Sequence, residues 1–353
     1  MKITANAVTL VRMALVPVPA AMLMTGDSRL VWVGFFLGAI LGATDAVDGH
    51  MARRDGPTVL GALLDPLADK LFTAAFFLPI IALGHVPAWV IAAIFARELL
   101  ITALRSSMEL HSARLKTSQL GKLKTVVQMG GLAVYVFLMF SPEGWGTWLH
   151  VAGILGLVVT GALFKATGRK LPYWVVAAVP MWGGVFSLSL FLPPLDTVFW
   201  LFILIMVLTW VSGFDYLGGS WQAYRQRGLT RADVARVLWG LANGALPVLA
   251  AGIDEGLVIP VMVGLGANLA IGGIDNVVTA EEKRAMRGGF TLTAISAAAV
   301  LAAAAWTVYA GGPSLAPLVA AGAYVLVSLI CAGAAFVKNR GLFLPRPAPK
   351  EGA

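Results

Sequence analysis

Apolar runs of about twenty residues, separated by short polar stretches, recur along the whole chain. Twelve are long enough to cross a bilayer as helices: about 7–24, 30–50, 59–84, 87–111, 122–141, 147–166, 172–192, 196–216, 234–252, 257–275, 289–310 and 314–337. The pattern predicts an all-α integral membrane protein. The polar residues that interrupt it are the informative ones, because charge in or beside a membrane span is costly and is kept where it serves a purpose. The densest interruption covers residues 45–70. It reads Asp45-Ala-Val-Asp48-Gly49-His50-Met51-Ala52-Arg53-Arg54, then Asp55-Gly56-Pro57 as a turn signal, then Gly61-Ala-Leu-Leu-Asp65-Pro-Leu-Ala-Asp69-Lys70.

Asp45 and Asp48 stand at i, i+3, and Asp65 and Asp69 at i, i+4, so each pair projects from one helix face. A helical hairpin closing at the turn presents four carboxylates to one pocket. Four such groups cannot all stay ionised together without cations. An all-oxygen, carboxylate-rich site suits Mg²⁺ or Mn²⁺, with substrate phosphate completing the shell. Gly49 and Gly61 carry no side chain beside the acids and leave the backbone open to a bulky ligand. Arg53, one turn beyond Gly49, is placed to clamp a diphosphate. A single Asp here would read as an ordinary polar helix end at a membrane surface. Four of them with two glycines and an arginine in register read as a phosphate-handling metal site.

Composition sharpens the membrane reading. Of 353 residues, 59% are hydrophobic and 12% charged, against about 25% charged in soluble domains. The single cysteine, Cys331, excludes a disulfide framework. Arg12 interrupts the first apolar run, which therefore reads as a span and not as a cleaved signal peptide. The net charge of +8 would suggest nucleic acid, but its distribution argues otherwise. With both termini in the cytoplasm and the spans alternating, 25 of the 26 Lys and Arg residues fall on cytoplasmic loops or in the spans leading to them, and Arg29 alone falls outside. This asymmetry places the four aspartates at the cytoplasmic face of a cell membrane, with no role for nucleic acid.

Other polar positions are more open. The first span begins Asn6-Ala-Val-Thr9-Leu10-Val-Arg12, either a pocket rim or an N-cap with an interfacial arginine. The fourth span carries Arg97-Glu98 and, two turns on along roughly the same face, Arg105. These could neutralise one another or offer a cationic face to an anionic acceptor. Gly121-Lys122-Leu-Lys124-Thr125 and Gln128 open the fifth span, where lysines also serve as membrane anchors. Residues 217–233 are polar and basic and mark a boundary. The four spans beyond hold no four-carboxylate cluster. Leu229-Thr-Arg-Ala-Asp233-Val-Ala-Arg236 and Leu269-Ala-Ile-Gly272-Gly273-Ile-Asp275-Asn276 faintly echo the first span's opening and the aspartate region. They are either a decayed duplicate or generic helix-interface patterns.

The stretch from Asp45 to Asp69 resembles the signature of the CDP-alcohol phosphotransferase family, D-x-x-D-G-x-x-A-R, a spacer, then G-x-x-x-D-x-x-x-D. All eight fixed positions are present: Asp45, Asp48, Gly49, Ala52, Arg53, Gly61, Asp65 and Asp69. The spacer between Arg53 and Gly61 is seven residues, shorter than the family's usual eight or more, and the shortening falls in the turn. The N-x-x-T-x-x-R opening is similar to the family's as well. A-R-E-L-L-I-T-A-L-R from Ala96 and G-K-L-K-T-V-V-Q from Gly121 resemble one branch, the phosphatidylglycerophosphate synthases, as does Leu208-Thr-Trp-Val-Ser-Gly-Phe-Asp-Tyr-Leu217.

The resemblance implies a six-helix core, commonly dimeric, over residues 1–228, with an inserted helix pair at about 145–194. Residues 229–353 then form a C-terminal transmembrane extension. It implies a magnesium-dependent transfer of the phosphatidyl group from CDP-diacylglycerol to glycerol-3-phosphate, with release of CMP. Asp45, Asp48, Asp65 and Asp69 would hold two Mg²⁺ or Mn²⁺ ions, and Asp69 would also act as general base. Asp48, Gly49, Ala52, Arg53 and Gly61 would contact the CDP donor. Arg105, Lys122 and Lys124 would hold the acceptor phosphate, with Arg12 and Arg97 as possible helpers. Another alcohol, such as inositol phosphate, serine or phosphatidylglycerol, would suit the same chemistry. A secondary transporter is disfavoured, because transporter sites usually lie at the membrane midplane, whereas these acids cluster at span ends.

Overall fold

The computed structural model describes residues 4–56, 58–110, 119–142, 145–168, 182–185, 187–284, 286, 289–311 and 314–344. The described chain is helical throughout. The first span is broken into α1 (Ala5–Leu15) and α2 (Pro17–Met24), and the break falls where Pro17 cannot donate to the preceding turn. α3 (Ser28–Asp55) is capped by the Asp27 side chain, which accepts from the Arg29 and Leu30 N–H groups. α4 (Val59–Ala82) is capped by Thr58. α5 (Ala88–Leu110), α6 (Gln119–Phe140) and α7 (Trp145–Ala166) follow.

The expected span at 172–192 lies largely outside the described residues. α8 (Pro194–Val211) runs through a two-residue break at Ser212 and Gly213 into α9 (Phe214–Arg227), so much of the polar boundary stretch is helical. The remaining long helices are α10 (Arg231–Ala251), α11 (Val258–Glu282), α12 (Phe290–Ala310) and α13 (Ala316–Lys338).

Among the described residues, eight helices are long and apolar enough to cross a membrane. α4 and α5 have 24 and 23 residues, ample to span. They fall outside the eight because of the charges that make them interesting: Asp65, Asp69 and Lys70 on one, Arg97, Glu98 and Arg105 on the other. Exposed Leu155, Val158 and Leu163 on α7, and Leu318, Leu326 and Ile330 on α13, give the apolar perimeter that a bilayer requires.

A smaller cluster of Leu100, Ile101, Leu104 and Tyr216 stands apart from the main core that the helices share. α4 and α5 lie at the centre of the main core, and α1 and α2 bridge α3 to α4. α8 packs on α5 and α6, and α7 packs on α6. The C-terminal helices are not peripheral. Among the described residues, α10 packs on α5 more extensively than any other helix pair, and α11 packs on both α4 and α5. The close approach depends on Gly240 and Gly244, spaced one turn apart. A Cβ at Gly244 would lie 2.5 Å from the Phe95 carbonyl oxygen, and one at Gly240 would lie 3.0 Å from the Leu100 Cα. Backbones can meet this closely only where the facing residues are small. Inside the extension, Trp239 donates to Asn268 Oδ1 at 3.1 Å, and the Asn268 amide nitrogen is shared with Gly264 O, Tyr324 Oη and Ser328 Oγ.

Candidate active site

The acids sit on the α3–α4 hairpin. α3 stops because Gly56 takes φ +94°, a conformation that L side chains rarely adopt, and its N–H closes the last turn on Ala52. The Thr58 side chain then accepts from Gly61 N–H at 2.9 Å and starts α4. Pro66 stands between Asp65 and Asp69. Its missing N–H leaves the Ala62 carbonyl without a helical partner, on the wall of a cavity. Asp48 is buried, while Asp45, Asp65 and Asp69 are exposed.

α1 reaches across this hairpin with three side chains at successive spacings of three. Asn6 pairs with Thr58 at 3.1 Å, and Thr9 Oγ1 donates to Asp48 Oδ2 at 2.8 Å. Arg12 Nη1 donates to Asp45 Oδ1 at 2.7 Å, while its Nη2 lies 3.7 Å from Asp48 Oδ2 and 4.0 Å from Asp69 Oδ1. One buried guanidinium therefore stands among three carboxylates from two helices, and its Nε and Nη2 are buried without a hydrogen-bond partner.

This arrangement tests the metal expectation. The donors are carboxylate oxygens gathered around positive charge, and the exposed side chains of Asp45 and Asp69 (52% and 66%) are open to water ligands. Such a donor set fits a hard divalent cation. Among the described residues, no three acids, histidines or cysteines converge tightly enough to cage an ion as they stand. An ion bound here must compete with the Arg12 guanidinium for the acids.

A second polar cluster lies beside the first. Glu98 Oε1 accepts from Lys124 Nζ at 2.7 Å and from Arg97 Nη1 at 3.2 Å, and Arg97 Nη2 donates to Ser212 Oγ at 2.9 Å. Lys70 donates to Thr102. Arg105 Nη2 lies 3.4 Å from the Tyr216 hydroxyl, with its guanidinium 5.7 Å from the ring centroid. Gln128 donates to Thr209 at 3.2 Å and Trp210 to the Ala93 carbonyl at 3.1 Å. Residues 209–216 are thereby tied to α5 and α6.

Two cavities meet at this cluster. One, of about 560 Å³, runs from Asp45 and Asp69 past Phe35, Phe72, Phe76 and Leu132 and is mainly apolar. The other, of about 520 Å³, holds Arg97, Arg105, Lys70 and Lys124 and is lined on one side by α11. Pro66, Lys70, Glu98, Lys124 and Thr125 belong to both.

The site residues expected from sequence fall as follows. Asp45, Asp48 and Asp69 are brought together around Arg12, with Asp65 one turn before Asp69. Arg53 is exposed beyond Gly49, and Ala52 is half-buried. Gly61 is buried, and a Cβ there would meet Thr58 Oγ1 at 3.0 Å and Asn6 Oδ1 at 3.1 Å, so its bare Cα makes room for the α1 contact. Arg105 and Lys124 line the basic cavity. The side chain of Lys122 lies outside the described residues. Glu98, Lys70, Thr102 and Tyr216 join the site without having been singled out as site residues. Lys70 and Glu98 carried a usable signal, being charges within otherwise apolar spans.

The family model for CDP-alcohol phosphatidyltransferase matches residues 2–160. A probable phosphatidylglycerophosphate synthase of Mycobacterium tuberculosis is 34% identical over 170 residues, covering 46% of this chain and 77% of that protein. The chain belongs to the CDP-alcohol phosphatidyltransferase family. Two further relatives, each named CDP-diacylglycerol–glycerol-3-phosphate 3-phosphatidyltransferase, support the same placement. That of Bacillus subtilis is 33% identical over 38% of this chain and 76% of its own length. That of Rickettsia typhi is 30% identical over 48% of this chain and 94% of its own. No solved structure matches the chain. The family match includes the whole aspartate hairpin and ends within α7, so α8 to α13 lie beyond it.

Proposed function

We propose that the chain transfers the phosphatidyl group of CDP-diacylglycerol to glycerol-3-phosphate, forming phosphatidylglycerophosphate and releasing CMP. The observation that carries this is the junction of the two cavities at the aspartate hairpin. Asp45 and Asp69, gathered on positive charge, line an apolar cavity, and that cavity joins a four-cation cavity at Pro66 and Lys70 of the hairpin's second helix, with Glu98, Lys124 and Thr125. The apolar cavity suits a lipid donor whose diphosphate reaches the acids. The basic cavity suits an anionic acceptor.

In this reading Asp45, Asp48, Asp65 and Asp69 hold Mg²⁺ or Mn²⁺, which when bound neutralises charge on the diphosphate. Thr9 orients Asp48 and Arg12 orients Asp45 through the bonds described above. Gly49, Ala52, Arg53 and Gly61 lie along the nucleotide's side of the hairpin. Arg105 and Lys124, with Lys122, hold the acceptor phosphate. Asp69 takes the proton from the attacking hydroxyl, whose oxygen bonds to the lipid-linked phosphorus as the bond to CMP breaks. An aspartate is a weak base at neutral pH, so positioning supplies much of the rate. Two ions, a homodimer, and a site on the cytoplasmic face of the cell membrane belong to the same reading. So does a core of α1 to α6 with α8, carrying α7 and the residues up to 194 as an insertion and residues 229–353 as an extension. The concentration of basic residues on one side supports the orientation.

The test is purified protein in liposomes with CDP-diacylglycerol, Mg²⁺ and radiolabelled glycerol-3-phosphate, following label in the lipid phase together with CMP. Incorporation that disappears in Asp69→Asn is the expected result. CMP release that needs a different alcohol would keep the family chemistry and overturn the acceptor.

A further inference from the structure

The basic cavity has a wall that the family match does not include. Gly273, Asn276, Val277 and Glu281 of α11 line it together with Arg105 and Lys124. α11 is also bonded to the segment that carries Arg105. Ser106 donates its hydroxyl to Asn276 Oδ1, and Ser107 donates to the Asp233 carboxylate at the head of α10. Both residues that follow Arg105 are thus anchored in the extension. With Oδ1 of Asn276 engaged by Ser106, the two amide N–H donors of that side chain have no partner among the described residues. Asn276 is half-buried on the cavity wall, where an unpartnered donor needs water or a ligand oxygen.

We infer that the C-terminal extension is a working part of the acceptor site: α11 closes one wall of the basic cavity, and Asn276 donates its amide hydrogens to a phosphate or hydroxyl oxygen of a small polyol phosphate. Asn276 is then a specificity-determining residue supplied from outside the family core. This rests on the reading of the basic cavity as the acceptor pocket.

The experiment compares full-length wild type with Asn276→Leu, Asn276→Asp and Ser106→Ala, varying glycerol-3-phosphate and CDP-diacylglycerol separately. Asn276→Leu keeps the bulk and removes the donors. It is expected to raise KM for glycerol-3-phosphate about tenfold or more, as loss of a hydrogen bond to a charged group does, with KM for CDP-diacylglycerol unchanged. Asn276→Asp puts negative charge beside the acceptor phosphate and raises the same KM further. Ser106→Ala breaks only the interhelical bond and moves KM by a few-fold at most. A second readout needs no turnover: at one fixed concentration, glycerol-3-phosphate alone should raise the melting temperature of wild type and Ser106→Ala clearly more than that of the two Asn276 variants. The inference is overturned if both KM values rise together, if kcat alone falls in Asn276→Leu and Ser106→Ala alike, or if Asn276→Asp keeps the wild-type KM and melting shift. Should wild type release CMP only with another alcohol, the glycerophosphate assignment fails by itself, and the same KM split is read with that alcohol.

Discussion

Two arginine–aspartate pairs at the same end of the bundle show what separates a reactive site from a structural pin. In the first, Arg12 reaches from α1 to Asp45 on α3. In the second, Arg236 reaches from α10 to Asp275 on α11. The two acids lie equally far along their helices, from 28 to 45 and from 258 to 275. Arg236 is paired through both fork positions, Nε to Oδ2 at 2.9 Å and Nη2 to Oδ1 at 3.1 Å, and Met286 N–H adds a third bond to Asp275 at 3.2 Å. Both partners are almost wholly buried, 3% and 2% exposed. Arg12 makes one hydrogen bond, leaves two nitrogens without partners, and faces three carboxylates, two of them open to water. One pair is closed and balanced in charge. The other has acid in excess and room for a ligand.

The largest effect that would break the comparison is catalytic. Asp69→Asn keeps the shape of the open cluster and removes its base, and should lower turnover about 10²- to 10⁴-fold in the labelled-acceptor assay. Asp275→Asn should leave turnover of the folded fraction near wild type. Equal losses would mean that the second pair is also part of the machinery.

Next comes stability. Asp275→Ala strands the Arg236 charge in the interior and should destabilise the detergent-solubilised protein by about 3–5 kcal/mol. Asp45→Ala removes a half-exposed partner of a guanidinium that still faces Asp48 and Asp69, and should cost less, about 1–3 kcal/mol. Thermal or denaturant unfolding of the two variants side by side checks this, and a reversed order would overturn the distinction.

A divalent ion should separate the pairs without any chemistry. Mg²⁺ or Mn²⁺ that binds only the folded protein stabilises it by about 2.7 kcal/mol at one hundred times its dissociation constant. The shift should vanish in Asp45→Asn and persist in Asp275→Asn. A shift that survives Asp45→Asn would place the ion elsewhere.

The open site was legible in sequence for a physical reason. Asp45, Asp48, Asp65 and Asp69 stand at helical spacings within 25 residues, so local periodicity alone puts them on facing surfaces. The opening with Asn6, Thr9 and Arg12 was visible as a candidate rim, but the spacing does not reveal that Arg12 ends up among the acids, since that depends on how α1 crosses the hairpin. The long apolar runs gave the helices, and the break at Pro17 and the helical α9 refined them. What the chain does not spell out locally is the meeting of distant elements. Ser106 and Asn276 are 170 residues apart, and the backbones that meet at Gly244 and Phe95 are 149 apart. The residues 229–276 showed an echo of the first spans, but nothing in that echo says that α10 and α11 lie against α4 and α5.

The finest test exchanges arginine for lysine at both positions. At 236 the flat fork makes two bonds to one carboxylate, and a lysine ammonium can replace only one of them in that geometry. Arg236→Lys should therefore cost about 1 kcal/mol, the net worth of one hydrogen bond. At 12 the single bond to Asp45 is one that an ammonium can remake, and the unpartnered Nε and Nη2 are removed at the same time. Arg12→Lys should accordingly destabilise less than Arg236→Lys in the same unfolding assay. If lysine costs as much at 12 as at 236, the Arg12 fork is as fully engaged as that of Arg236, and the first pair is a closed pin after all.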